Sequence, residues 1–197
     1  LLKFLNLIRQ RPLQVFGTIR QFALFLISRP LVALFYKPIN GIYLGKNVRI
    51  QSLGTCIAER PKARIEILDH TIVYERAQIE AYGSGHIIIG SGCIIGDARI
   101  YSRAKITLGN RVVTSWNVFI QDFDPHPIDS DLRSIQMQQM VNGFRPRFDN
   151  VSLQEIDSEQ LCKLAAWGFP ATEISIGSDV WIGANVTILR GARIGSG

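Results

Sequence analysis

Hydrophobic residues near the C-terminal end of the chain recur every six positions. In "ISIGSDVWIGANVTILRGARIG", residues 174–195, isoleucine stands at positions 176, 182, 188 and 194, and glycine follows three of these four. Ile174, Val180 and Val186 keep the same spacing two positions earlier. A helix repeats its face every 3.6 residues and a strand every two, so a period of six fits neither element alone.

A short strand followed by a tight corner explains this spacing. If each hexad forms one flat wall, its aliphatic side chains point inward once per wall, and the residue at the corner is best without a Cβ. Three walls close a triangular coil of about 18 residues, and coils stacked about 4.8 Å apart turn each wall into a parallel sheet. The pattern therefore predicts an all-β solenoid with a core of stacked aliphatic residues.

The same pattern occurs earlier in the chain. It runs through "HIIIGSGCIIGDARIY", residues 86–101, where Cys93 takes a core position, and after one inserted residue it resumes from Ile106 to Ile120. Between Leu44 and Ile79 the pattern is present but ragged. We therefore expect the solenoid to begin near residue 41 and to be interrupted between residues 120 and 174.

These hexads resemble those of the left-handed β-helix acyltransferases. In particular, "VWIGANVTIL" is similar to a stretch of the sugar and polysaccharide O-acetyltransferases of the galactoside, maltose and capsule type. The resemblance covers about residues 42–126 and 174–197. It implies a left-handed parallel β-helix over residues 41–197, with residues 129–173 as an inserted loop, whereas ordinary parallel crossovers are right-handed.

Residues 1–40 are both basic and apolar. The chain carries 22 Lys and Arg against 16 Asp and Glu, a net charge of +6, but residues 1–58 hold eight basic residues and no acidic one. The positive charge therefore belongs to the N-terminal segment, and no nucleic-acid-binding face is predicted on the solenoid. Apolar residues at helical spacing from Val15 to Ile27 predict an amphipathic helical segment over 1–40.

This N-terminal segment has two alternative roles. Its charge-free runs reach only eight residues, whereas about 20 apolar residues are needed to cross a bilayer. It either makes a peripheral contact with an anionic membrane surface, which its basic residues favour, or caps the open end of the solenoid. Three cysteines without a CxxC pair indicate packing roles in a reducing compartment, so we expect a cytoplasmic protein, with or without contact with the inner face of the membrane.

His126 stands where the chain leaves the repeats, at the hexad position that follows Ile120. The segment "HPID", residues 126–129, resembles the His-Pro motif that carries the catalytic base in these acetyltransferases. Imidazole suits the role because its ordinary pKa near 6.5 leaves it able to accept a proton at cellular pH. Asp124, Asp129 or Asp122 is expected to orient the ring, and the sequence does not choose among them.

The resemblance also implies acetyl-CoA as the acyl donor and a homotrimer with the donor bound between subunits. Trp181, Gly183 and Ala184 match the positions that line the donor groove. The family continues for another coil or two beyond the point where this chain ends at "RIGSG", so either the sequence is a fragment or the donor site is incomplete. No Walker loop or dinucleotide fingerprint competes with this interpretation.

The long loop is expected to bind the acceptor. Its candidate residues are Arg145 and Arg147, which suit a phosphate as well as a sugar, and Trp167, which suits a sugar face. Ser152 and Glu155 have the spacing of a capping box, and Gly168 followed by Pro170 ends the predicted helix.

The acceptor-binding residues of galactoside acetyltransferases do not match this sequence. The position of their aspartate falls on Arg103, and that of their asparagine falls on Ile95. A simple galactoside is therefore not the expected acceptor.

The favoured function is therefore an O-acetyltransferase that acts on a sugar hydroxyl in bacterial surface polysaccharide biosynthesis. A nucleotide-sugar N-acyltransferase differs only in its acceptor, and a non-catalytic scaffold docked at the membrane would need the repeats but not His126. A zinc hydratase of the carbonic anhydrase type shares this fold, but its close histidine pair is absent, since His70, His86 and His126 lie far apart in sequence. No metal is expected.

Overall fold

The computed structural model describes residues 40–52, 55–144 and 155–197, and these residues form three parallel β-sheets around one core. Sheet A contains β1 (Ile42–Leu44), β4 (Arg64–Ile67), β7 (His86–Ile89), β10 (Lys105–Leu108), β13 (Ile174–Ile176) and β16 (Arg193–Ile194). Sheet B contains β2 (Arg49–Ile50), β5 (Ile72–Val73), β8 (Ile94–Ile95), β11 (Val113–Thr114) and β14 (Trp181–Ile182). Sheet C contains β3 (Cys56–Ala58), β6 (Gln78–Ala81), β9 (Ala98–Ser102), β12 (Val118–Gln121) and β15 (Thr187–Leu189).

The chain visits the sheets in the order A, B, C and then returns to A one coil further on. The first corner joins sheet A to sheet B, the second joins B to C, and the third joins C back to A. Every pairing between neighbouring strands of a sheet is parallel. The predicted all-β solenoid is therefore confirmed as a parallel β-helix.

Strand register explains why the repeat is regular in one half of the chain and ragged in the other. Ile176 pairs with Ile194, 18 positions later, which is the coil length that three hexads predict. Ile87 pairs with Ile106, so the single inserted residue noted in the sequence lengthens one corner. In the first coils Ile42 pairs with Ile65 and Ile65 with Ile87, because longer corners separate strands that are still in register.

The core consists of aliphatic ladders, one or two per sheet. In sheet A, one ladder of isoleucines runs through five consecutive coils, and none of its members is more than 4% exposed: Ile42, Ile65, Ile87, Ile106 and Ile174. Cys93 is fully buried, as its hexad position predicts. Burial of such side chains contributes about 1.5–3 kcal/mol each relative to exposure, so stacking of the coils stabilises the fold.

The first corner brings two successive coils into close backbone contact at Gly109 and Gly177. Gly109 and Gly177 follow the inward residues of sheet A, and a Cβ on Gly109 would lie 2.6 Å from the backbone carbon of Gly177. Glycine is required there by the close approach of successive coils. Two residues later the backbone is left-handed, at φ 55° in Arg111 and 63° in Asp179, and these two side chains form an ion pair with Nε to Oδ1 at 2.5 Å.

The long interruption occupies the third corner. Residues 122–173, here called the excursion, join β12 to β13, so they fill the break in the hexads between residues 120 and 174 and include residues 129–173, the implied loop. The excursion contains α1 (Ser130–Gly143) and α2 (Ser158–Trp167), which pack against each other. An antiparallel bridge between Phe123 and Ala171 brings its two ends together.

Of the two helices, only α2 corresponds to the prediction, and its start differs. The backbone N–H of Asp157 donates to Oε1 of Gln160 at 3.3 Å, so the reciprocal cap lies at Asp157 and not at the predicted Ser152, which is outside the described residues. The predicted end is confirmed, because Gly168 follows the helix in a left-handed conformation at φ 65°. The helix α1 was not predicted.

The predicted N-terminal helical segment, residues 1–40, lies outside the described residues except for its last position. In the three described ranges, none of the helices has the length and apolar character needed to span a bilayer.

Candidate functional site

His126 lies at the third corner, near the start of the excursion. The chain leaves the solenoid after Gln121, whose buried side chain donates to the carbonyl oxygen of Phe123 at 2.9 Å. The backbone N–H of Asp124 then donates to the carbonyl of Pro170, so the outgoing and returning strands are tied together. His126 follows this tie as an exposed residue between two prolines.

Gln136, on α1, fixes the orientation of the His126 ring. Its Oε1 lies 2.8 Å from Nδ1 of His126, and its Nε2 donates to the carbonyl oxygen of Pro125 at 2.9 Å. A carbonyl can only accept, so the amide nitrogen must face Pro125 and the amide oxygen must face the imidazole. Nδ1 therefore carries the proton and donates to Gln136, and the lone pair of the neutral ring is on Nε2.

The first turns of α1 hold the rest of the HPID loop. Arg133 donates from Nη1 to the carbonyl oxygens of Pro127, at 2.9 Å, and Ile128, at 2.7 Å. Arg133 and Gln136 are three residues apart, so they project from the same side of the helix. Gln136 is only 6% exposed, which keeps its amide from exchanging these partners for water.

Each of the candidate carboxylates has a different partner from the one expected. Asp129 is the N-cap of α1, and its Oδ1 accepts from the backbone N–H groups of Asp131 and Leu132. Asp124 accepts from Nε of Arg190 at 2.8 Å. In place of these carboxylates, the group that contacts Nδ1 is Gln136, an amide that the sequence interpretation did not consider.

Asp122 is used inside the solenoid. This fully buried carboxylate accepts from the hydroxyl of Ser102 and from the backbone N–H groups of Arg103 and Ala104, at 2.6, 2.7 and 3.1 Å. It therefore ties the start of the excursion to the corner of the preceding coil and is not available to orient His126.

The three predicted donor-binding residues lie together on the last coil. Trp181 is 77% exposed on sheet B, and Gly183 and Ala184 follow it at the second corner. Apart from Gly183 itself and its two chain neighbours, no described residue has an atom within 4 Å of a Cβ placed on Gly183, so the backbone there is open to a ligand. The strand pairing of Thr114 with Ile182 places Ala184 above Trp116 of the preceding coil.

Trp116 was missed in the sequence, although aligning its hexad with the one around Ala184 would have found it. It is 73% exposed and, with Trp181, lines an open groove of about 450 Å³. The apolar side chains of Ile94 and Val113 and the charged side chains of Arg76 and Asp97 also line this groove. Two exposed indoles beside an open backbone form a surface that suits a long, partly apolar ligand.

The predicted acceptor residues are only partly within the described ranges. Trp167 is half-buried at the end of α2, and its ring centroid lies 5.1 Å from that of Phe169. Arg145 and Arg147 fall outside the described residues.

Tyr82 lies near these aromatic residues, since its ring packs against Phe123 and Phe123 packs against Phe169. Burial raises the pKa of Tyr82, and a hydrogen bond from its hydroxyl to Glu80 raises the pKa further.

The remaining histidines lie apart from His126. His70 is exposed at the first corner, and Nε2 of His86 lies 2.8 Å from Oε1 of Glu66 on the outside of sheet A. Within residues 40–52, 55–144 and 155–197, no three His, Cys, Asp or Glu side chains gather into a group able to hold a metal ion.

Comparison of the chain with protein-family models, with curated proteins and with solved structures found no match.

Proposed function

We propose that the chain is an acetyl-CoA-dependent O-acetyltransferase that acts on a sugar hydroxyl in the biosynthesis of a bacterial surface polysaccharide. The observation that carries the proposal is the contact of Gln136 with His126, because an imidazole protonated on Nδ1, with its lone pair on Nε2, is prepared to accept a proton. A surface histidine with no role in catalysis would not need a buried amide to fix its tautomer.

In this proposal His126 moves protons in both directions. Its Nε2 accepts the proton of the acceptor hydroxyl as that oxygen attacks, and the imidazolium then returns a proton to the departing thiolate sulfur. Gln136 Oε1 accepts a hydrogen bond from Nδ1–H throughout, which holds the ring and stabilises its charged form. Acetyl-CoA supplies the acetyl group as a thioester, so the C–S bond breaks as the C–O bond forms.

The groove along sheet B and the second corner, which ends at Trp116 and Trp181, fits the donor. The exposed faces of Trp116 and Trp181 can cover the apolar part of the pantetheine arm, and the open backbone at Gly183 and the small side chain of Ala184 let it approach closely. This fit uses the three residues that the resemblance to acyltransferases singles out and adds Trp116 to them.

The placement of these parts favours a homotrimer. His126 is at the third corner, whereas the tryptophan groove lies on sheet B and at the second corner. Sheet C therefore separates the two within one subunit. A threefold arrangement that sets the third corner of one subunit beside the groove of the next would complete three equal sites. We include in the proposal the left-handed coil that the resemblance implies.

We further propose a cytoplasmic location with peripheral contact between residues 1–40 and the membrane. The eight basic residues among the first 58, with no acidic one, support attraction to anionic lipid. Sedimentation with anionic liposomes tests this contact by comparing the intact chain with one that lacks residues 1–40. Equal sedimentation of the two would contradict it.

The central experiment changes His126 to alanine. Turnover should fall by about 10²- to 10⁴-fold, while acetyl-CoA still raises the melting temperature. The matched control is His70→Ala, which removes another exposed imidazole at a different corner and should leave turnover intact. Full activity of His126→Ala would refute the assignment of the base.

Two further measurements separate the alternative functions. A screen of hydroxyl and amino-sugar acceptors distinguishes O-acetylation from nucleotide-sugar N-acylation. A scaffold should show no thermal response to acetyl-CoA, whereas a binding protein at 100 times its Kd gains about 2.7 kcal/mol of stability.

A further inference from the structure

Arg103 lies at the third corner with its guanidinium among aromatic rings. Its Cζ is 3.9 Å from the centroid of Phe169, 5.3 Å from that of Phe123 and 5.5 Å from that of Tyr82. Phe123 packs edge-on against each of the other two rings at 6.4 Å. Arg103 and these three rings, here called the arginine cage, join the preceding coils to both ends of the excursion.

The charge of Arg103 is unpaired in the described part of the chain. Among residues 40–52, 55–144 and 155–197, its side chain donates no hydrogen bond and forms no ion pair, and its Nε is buried without a partner. Buried donors are nearly always satisfied in folded proteins, so an unsatisfied one needs an explanation.

The nearby carboxylates are already engaged. Asp122 accepts from Ser102 and from two backbone N–H groups, and Asp124 accepts from Arg190. Glu80 accepts from the hydroxyl of Tyr82, and Glu59 accepts from the backbone N–H of Gly83. None of these acids accepts from the guanidinium. The partner that completes Arg103 should therefore carry its own negative charge.

The cage covers the guanidinium of Arg103 but leaves its N–H groups able to donate hydrogen bonds to a ligand. Stacking on an aromatic ring covers a face of the guanidinium, while the N–H groups point outward in its plane. Gly83 adjoins Nη1: apart from Gly83 and its two chain neighbours, Nη1 is the only described atom within 4 Å of a Cβ placed on Gly83, at 3.9 Å. There is thus open space beside the terminal nitrogen.

The cage is close to the proposed catalytic base. Phe123 belongs to the cage and precedes His126 by three residues, so their Cα atoms are at most about 11 Å apart. Arg103 itself is in the coil directly below the excursion, at the same corner. A saccharide bound with one hydroxyl at His126 can therefore place a charged substituent at the cage.

We infer that the arginine cage is a subsite for an oxyanion, a carboxylate or a phosphate, on the acceptor sugar. This inference rests on the proposed acetyltransferase function and deepens it, because it assigns an anionic acceptor to the site. A guanidinium matches either oxyanion with two parallel N–H···O hydrogen bonds, and its aromatic surroundings exclude competing water.

Binding of three simple probes tests the inference without catalysis. Methyl glucuronoside presents a carboxylate, glucose 1-phosphate presents a phosphate, and methyl glucoside is neutral. At low salt, calorimetry should find at least one anionic probe bound about tenfold or more tightly than the neutral probe. The tighter of the two anions identifies the source of the charge, and equal binding of all three would overturn the subsite.

Arg103→Gln should abolish this preference and leave binding of the neutral probe unchanged. Arg99→Gln is the matched control, because it removes the same charge from an exposed position on β9, the strand that ends just before Arg103, and should keep the preference. If Arg103→Gln does not fold, Arg103→Lys replaces it, because lysine retains the charge but not the paired donors. This variant should still bind the anionic probe severalfold more weakly than the unchanged protein does. An unchanged preference in whichever variant folds would refute the subsite.

A thermal-shift measurement of acetyl-CoA binding in the same samples separates the acetyltransferase proposal from the anion subsite. Protein that binds the anionic probes through Arg103 but ignores acetyl-CoA would refute the acetyltransferase proposal and retain the anion subsite. Protein that binds and turns over acetyl-CoA but shows no preference dependent on Arg103 would refute the subsite alone.

Discussion

The carboxylate of Asp122 accepts a hydrogen bond from the hydroxyl of Ser102 at 2.6 Å, and both residues are fully buried. Asp122 is the first residue of the excursion, and Ser102 ends the strand β9 in the coil below. The same carboxylate accepts from the backbone of Arg103 and Ala104. This contact therefore fixes both the departure point of the chain toward His126 and the corner that carries Arg103.

Asp122→Asn should destabilise the protein by about 3 kcal/mol. The amide keeps one acceptor oxygen for three donors and turns an N–H₂ group toward them, so at least one buried donor loses its partner. Chemical denaturation measures the loss. The control is Asp97→Asn. The partner of Asp97 is Arg76, whose Nη1 is 3.9 Å from Oδ2 and whose side chain is largely exposed, so the free energy of unfolding should change by less than about 0.5 kcal/mol. Equal stability of the two variants would contradict this role of Asp122.

Gln136→Met should lower kcat by roughly 10²-fold and leave the Kd for acetyl-CoA unchanged. Methionine fills the same volume but provides neither the acceptor for Nδ1 nor the donor for Pro125, so the His126 ring loses its fixed orientation and tautomer. Gln139→Met is the matched control, because Gln139 is exposed on the same helix. A Gln136→Met enzyme with the normal kcat would show that the ring is positioned by another group.

The sequence predicts the solenoid well where each coil is built from hexads alone. The pairing of Ile176 with Ile194 follows directly from the spacing, because both the strand and its corner are encoded within six residues. The pairing of Ile42 with Ile65 does not, since extra residues in the intervening corners break the six-residue spacing. The ragged pattern in this part of the sequence is the consequence of those longer corners.

The candidate site is predictable in position but not in its partners. The hexad count places His126 at the start of the excursion, but Gln136 reaches it only because α1 folds back on the HPID loop. Apolar residues do not mark one face of α1: Ile135 is buried, whereas Met137 and Met140 are about half exposed. The role of Asp129 as an N-cap was the available signal for this helix.

The arginine cage is harder still to predict from sequence patterns. Tyr82, Phe123 and Phe169 come from three separate segments, and only the stacking of coils and the return of the excursion bring them around Arg103. No local spacing relates these residues to one another.

One of the three cysteines should react with a disulfide reagent in the native protein at pH 8. Burial raises the pKa of the Cys56 thiol to about 12 and also raises the pKa of Cys93, so both stay protonated and unreactive. Cys162 is exposed on α2. Thiol titration should give one fast equivalent in buffer and three in denaturant, and Cys162→Ser should remove the fast one. Rapid reaction of a second thiol in native protein would show that the core ladder opens.

Two glycines of the solenoid should respond differently to alanine. A Cβ on Gly109 would lie 2.6 Å from the backbone of Gly177 in the next coil, so Gly109→Ala should force the coils apart and destabilise the protein by about 2 kcal/mol or more. Gly183 has open space around it, so Gly183→Ala should change stability by less than about 0.5 kcal/mol. Thermal unfolding with matched denaturant titrations measures both.

Gly183→Ala should nevertheless weaken acetyl-CoA binding by about tenfold if the donor approaches the backbone between Trp181 and Ala184, because the added methyl group would occupy that surface. Gly195→Ala is the matched control: Gly195 is equally open but lies at the first corner, beside neither tryptophan. Calorimetric titration with acetyl-CoA should therefore separate two variants of equal stability. The same Kd in both would place the donor elsewhere on the solenoid.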